Sequence, residues 1–187
     1  MLRQALLQTA LSALFVTTLN LNAVPFKGKE KSFSKSGDSR EGVLFYLQRS
    51  INASAILYVL NTNEKGEINE LEPIRIYWKN FATDSSTQPL NYIQRKYAYG
   101  LEIKTIKEKE IFCVNFVSYK KKTIYLIKSP ADSKYRAFCQ ISGKLAVLNR
   151  IFVQIDGGSF WLPGIRFIEI SGSNTADGQT ISERVKP

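Results

Sequence analysis

From Val43 onward the chain alternates short apolar runs with polar punctuation. The runs are Val43 to Ser50, Ala55 to Asn61, Ile74 to Lys79, Tyr92 to Ile106, Ile111 to Tyr119, Thr123 to Lys128, Tyr135 to Ser142, Lys144 to Asp156 and Gly164 to Ser171. Many are rich in β-branched and aromatic residues at every second position, the rhythm of side chains pointing alternately to the two faces of a strand. Turn-forming stretches separate them: TNEKG at Thr62 to Gly66, the lysine cluster Lys120 to Lys122, Ser142-Gly143 and Asp156-Gly157-Gly158. Once the N-terminal segment is set aside, no stretch sustains a helical period over three turns. About nine strands predict an all-β fold, a single antiparallel β-sandwich or a closed barrel, between which the pattern does not choose.

The alternation also assigns faces. In the run ending at Asp156 the odd positions Leu145, Val147, Asn149, Ile151, Val153 and Ile155 are expected to line the core. An internal echo gives this rhythm a chemical consequence. Tyr46-Leu47-Gln48-Arg49 and Tyr92-Ile93-Gln94-Arg95 share the order Tyr, aliphatic, Gln, Arg, and each arginine shares its face with large apolar residues. A guanidinium stays charged at any working pH, so drawing it inward requires an anion or carbonyls to meet it. Two converging from different strands would make a fork-lined pocket for a carboxylate or phosphate, with Trp78, Tyr97 and Tyr99 as walls. The plainer expectation is that each arginine snorkels, or pairs with Glu102, Glu169 or Asp84.

The ends of the chain read differently. Arg3, the mostly apolar stretch Ala5 to Leu19 and the small residue Ala23 have the layout of a cleaved signal peptide, residues 1–23. A basic lead-in rich in Lys, Ser and Gly follows at 24–41, too poor in apolar residues to order itself. Residues 42–187 then form one β domain with a polar C-terminal tail, within which Ile181 to Val185 can add a short last strand. Export to the periplasm or the exterior is expected. There, a net charge of +10 for the full chain, about +9 once Arg3 leaves with the signal, draws the protein toward anionic lipid or glycan of the envelope rather than nucleic acid.

Histidine is absent, which removes Ser-His-Asp and Cys-His catalysis and His-ligated metal sites. Cys113 and Cys139 are the only cysteines; outside the cytosol they are expected to form a disulfide, the alternative being two free thiols buried as small apolar residues. Asn52-Ala53-Ser54 is a glycosylation triplet, relevant only in a eukaryotic secretory route. The carboxylates Asp84, Glu102, Asp156, Glu169 and Glu183 show no spacing that selects a catalytic pair. The expectation is therefore a non-enzymatic β module without cofactor or metal, binding an anionic or amphipathic ligand through Arg49 and Arg95. The alternative is an envelope structural or interaction protein with no small-molecule site.

Four separated blocks carry a family likeness: LFYLQRSINASAILYVLN, PIRIYWKNFA, LNYIQRKYAYGLEIK and LNRIFVQI. In this order they resemble the motifs of the bacterial family termed domain of unknown function 4833, from about Val43 to the C-terminal end. The resemblance implies an exported bacterial protein and carries over no activity, substrate or catalytic residue. At YWKNF the chain departs from the basic or tyrosine-bearing continuation of the family pattern, so no role passes to Lys79 or Phe81.

Overall fold

The computed structural model describes residues 42–51, 54–81, 86–106, 110–130, 132–159 and 163–186. The signal peptide, the lead-in, Asn52 and Asp84 of the sequence reading lie outside the described residues. The strands are β1 (Val43–Arg49), β2 (Ser54–Leu60), β3 (Ile74–Asn80), β4 (Thr87–Pro89), β5 (Leu101–Ile106), β6 (Ile111–Phe116), β7 (Tyr119–Lys128), β8 (Tyr135–Ile141), β9 (Lys144–Gly158), β10 (Pro163–Asn174) and β11 (Thr180–Val185). Nine run in the order β4-β3-β2-β1-β9-β8-β7-β6-β5, with β10 on β9 and β11 beyond it. The fold is all-β, as the alternation predicts.

The 15 residues of β9 organise the sheet. Lys144 to Val147 pair antiparallel with β8. Arg150 to Val153 pair with β1, and this contact is parallel, a departure from the expected antiparallel sheet. One long strand thus joins two arms, β1–β4 and β5–β8. Within the first arm Phe45 of β1 stacks on its register partner Tyr58 of β2 at 4.4 Å between ring centroids, and the arms curl toward each other over this pair. Phe116, from the opposite arm, meets both rings edge-on at 6.3 and 5.5 Å, the arrangement that the aromatic quadrupole favours. The terminal strands β4 and β5 form no ladder with each other among the described residues, and the sheet is an open, curled half-barrel.

Three expectations are corrected. The odd face of β9 does not line the core throughout: Ala146 and Leu148 are buried in its first half, Ile151 and Ile155 in its second. The cause is a bulge. Ser171 of β10 pairs with Arg150 and the next residue, Gly172, with Leu148, which leaves Asn149 unmatched and exchanges the faces. The lysines Lys120 to Lys122 lie within β7; the turn falls at Val117-Ser118, where Phe116 pairs with Tyr119. Ser142-Gly143 is the turn expected, with both φ angles positive at 49° and 75°, as a tight hairpin demands.

The third correction concerns Tyr92 to Ile106, which is not one strand. Tyr92–Gln94 form a helical turn, α1, continued by a wider π-type turn at Arg95–Tyr99 before β5 begins. Asn91 and Gln94 explain the start: the Asn91 side chain accepts from the Gln94 amide at 2.8 Å, and the Gln94 side chain accepts from the Asn91 amide at 3.1 Å. This reciprocal capping box satisfies two donors that a helix end otherwise leaves unpaired. Gly100 explains the stop, because a Cβ there would overlap the Arg95 carbonyl oxygen.

Candidate functional site

The two ends of the space between the arms differ. One is filled by Phe45, Tyr58, Phe112, Val114 and Leu126. The other is hollow, a cavity of about 400 Å³, within the usual range for small-molecule sites. Its long wall is aliphatic: Ile151, Val153 and Ile155 from β9, and Ile165, Ile168 and Ile170 from β10. A bulge at Arg166, where the register shifts between Ile165 and Phe167, lets Ile165 and Ile168 both line it despite their odd spacing. The helical segment 92–99 forms the rim with Ile93, Tyr97 and Ala98.

Arg49, at the end of β1, is the cation of this cavity. Its guanidinium carbon lies 5.2 Å from the Trp78 ring centroid and 5.7 Å from that of Tyr99. The two rings meet at 6.0 Å and 67°. They form two sides of a box around the charge, a favourable setting for the face of an aromatic quadrupole. The Arg49 Nε is buried without a hydrogen-bond partner, and no carboxylate pairs with this arginine among the described residues. The other lining cation, Lys122, is neutralised by Glu183 at 2.6 Å. Among the described residues no Asp or Glu lines the cavity. Burial raises the Tyr99 hydroxyl above its ordinary pKa, and the neighbouring Arg49 charge pulls it part of the way back.

Arg95 is elsewhere. It bridges to Glu72 at 3.1 Å, both side chains about half exposed, and does not line the cavity. The expected convergence of the two arginines does not form, because the helical turn rotates Arg95 away from the face it would occupy in a strand. Trp78, Tyr97 and Tyr99 do stand with Arg49 around one cavity. The expected disulfide is absent: both thiols are free. Cys113 and Cys139 belong to β6 and β8 with β7 between them, and on β6 the core face carries Phe112, Val114 and Phe116 instead of Cys113. Strands two apart exceed the reach of a disulfide. Cys139 lines the cavity, and burial pushes its thiol up to about 11. The β9 half of the aliphatic wall, Ile151, Val153 and Ile155, lies on the face that the alternation turned inward, whereas the β10 half, Ile165, Ile168 and Ile170, was given no face in the sequence.

The rim is well anchored. Tyr58 donates from its hydroxyl to the Tyr99 carbonyl at 3.0 Å, Ser118 to the Ala98 carbonyl at 2.6 Å, and the Val117 amide to the Gly100 carbonyl at 3.0 Å. Residues 45–184 match the model of a family described as domain of unknown function (DUF4833). No curated protein and no solved structure matches the chain.

Proposed function

We propose that this chain, which belongs to the domain of unknown function 4833 family, is a non-enzymatic binding module for an amphipathic anion. The ligand's apolar body occupies the isoleucine-walled end of the cavity and its anionic group meets Arg49. One observation carries this reading: a guanidinium with a buried, unpartnered Nε, boxed by Trp78 and Tyr99, at an apolar cavity that no Asp or Glu lines among the described residues. An unsatisfied buried donor is costly, and an incoming carboxylate or phosphate removes that cost. In this reading the curled sheet acts as an incompletely closed barrel whose hollow end is the site. The proposed signal peptide at residues 1–23 places it outside the cytosol, among envelope lipids.

The test is fluorescence titration with dansyl-undecanoic acid and with the matching alcohol. The acid is expected to bind more tightly than the alcohol by at least about tenfold, the yield of a charge-assisted hydrogen bond. Arg49→Leu should erase the difference while the melting temperature holds, and Arg95→Ala should leave it intact. Equal binding of acid and alcohol, or no binding of either, overturns the reading.

A further inference from the structure

The rim of the cavity also presents an outward face. Tyr92, Ile93 and Tyr97 are 71%, 46% and 63% exposed. The Lys96 ammonium lies over both tyrosine rings, at 5.4 and 5.2 Å from their centroids. Positions 92, 93, 96 and 97 recur once per helical turn and so share one side of the segment. This side is continuous with the cavity mouth, which Ile93 and Tyr97 line from the inside. Large side chains left in water on a segment anchored by a capping box and three tertiary contacts are a presented surface. Its charge has one sign. From Ser86 to Leu101 there is no acidic residue. Among the described residues Glu72 is taken up by Arg95 and Glu102 by Lys120 at 2.6 Å, whereas Lys96 has no carboxylate partner.

We infer that this face docks on the surface of an anionic phospholipid bilayer. Tyr92, Ile93 and Tyr97 enter the boundary between head groups and acyl chains, where amphipathic rings settle, and Lys96 extends to the phosphates. The inference rests on the cavity being the site of an amphipathic anion: docking sets the mouth against the bilayer, so the ligand's apolar body crosses between acyl region and cavity without meeting bulk water. A protein partner of ordinary surface would cover the tyrosines equally well. The acid-free stretch around Lys96 and the chain's net charge of +10 select the anionic lipid surface.

Vesicle co-sedimentation tests this, using phosphatidylcholine with and without phosphatidylglycerol, at low and high salt. The protein should partition to the anionic vesicles, and salt should weaken the partition. Lys96→Gln should reduce it about fivefold, the share of one lysine at an anionic surface. Tyr92→Ser should reduce it at both salt concentrations. Neither residue lines the cavity, so both variants should keep the parent melting temperature and bind dansyl-undecanoic acid normally without vesicles. Partition indifferent to phosphatidylglycerol, or unchanged in both variants, overturns the docking surface. So does a loss of self-association in Tyr92→Ser on size-exclusion chromatography, which would assign the face to a second copy. Because acid binding in solution is read separately, a failure of the cavity is distinguished from a failure of docking.

Discussion

Tyr46–Arg49 and Tyr92–Arg95 repeat one order of residue types, yet the first is strand and the second is helical turn. In β1 the tetrapeptide is paired on both edges, by β2 and β9, and the inward face carries Leu47 and then Arg49 into the cavity. In the second copy the residue before tyrosine is Asn91 in place of Phe45. Asn91 caps a helix with Gln94, and Gly100 closes the wide turn that follows. The glutamine common to both copies caps only where an Asn precedes it by three positions. The cap on one side and the paired strands on the other thus separate a half-buried guanidinium with an unpartnered Nε from one tied to Glu72 in solvent. The lesson is that a shared tetrapeptide has no fate of its own; the cap and the neighbouring strands assign it.

This contrast can be broken at several points. Giving the first copy the cap of the second, Phe45→Asn, removes a ring stacked on Tyr58 and met edge-on by Phe116. It should cost on the order of 4 kcal/mol, the scale of losing a core Phe, without gaining a helix. Urea unfolding measures the loss, and far-ultraviolet circular dichroism reports whether helix appears. Gly100→Ala forces the Arg95 carbonyl to move and should cost about 3 kcal/mol in the same assay, the upper range for a single strained position. Asn91→Ala removes the cap and should cost about 1 kcal/mol. Arg95→Ala breaks only an exposed ion pair and should cost less than about 1 kcal/mol. A larger loss for Arg95→Ala than for Asn91→Ala would mean that the salt bridge, not the cap, holds the segment.

The finest probe is a titration. The Tyr99 pKa is raised by burial above the ordinary phenol value of 10.0, against the lowering effect of Arg49. Its contribution to stability is therefore complete below the unfolded value and lost as pH rises through the raised folded value. Arg49→Leu should move the Tyr99 transition further up, and Arg95→Ala should leave it unchanged. Absorbance titration against a Tyr99→Phe reference resolves the two. An unmoved transition in Arg49→Leu would show that the guanidinium does not sit beside that ring.

Much of the architecture was legible along the chain because period-two burial is a local property. Val43–Arg49, Ile74–Asn80, Tyr135–Ile141 and Thr180–Val185 are strands on or near the bounds the alternation set, and Phe45, Leu47, Ile74 and Ile76 are buried as their faces require. The capping pair Asn91 and Gln94 and the terminator Gly100 were also written in the chain. They were outvoted by an apolar run that continues through them into β5. Bulges were not legible, since Asn149 is left over only by the pairing of β9 with β10.

What the amino-acid order determined by itself was the class of fold, most of the strands, the absence of histidine chemistry and the inward aim of Arg49. Tertiary structure alone decided the rest. It put β7 between the two cysteines, brought β1 beside β9 in parallel and left one end of the interior hollow. The reason is range: face and turn are settled by neighbours a few residues away, whereas a cavity is what remains when side chains from strands more than a hundred positions apart fail to meet.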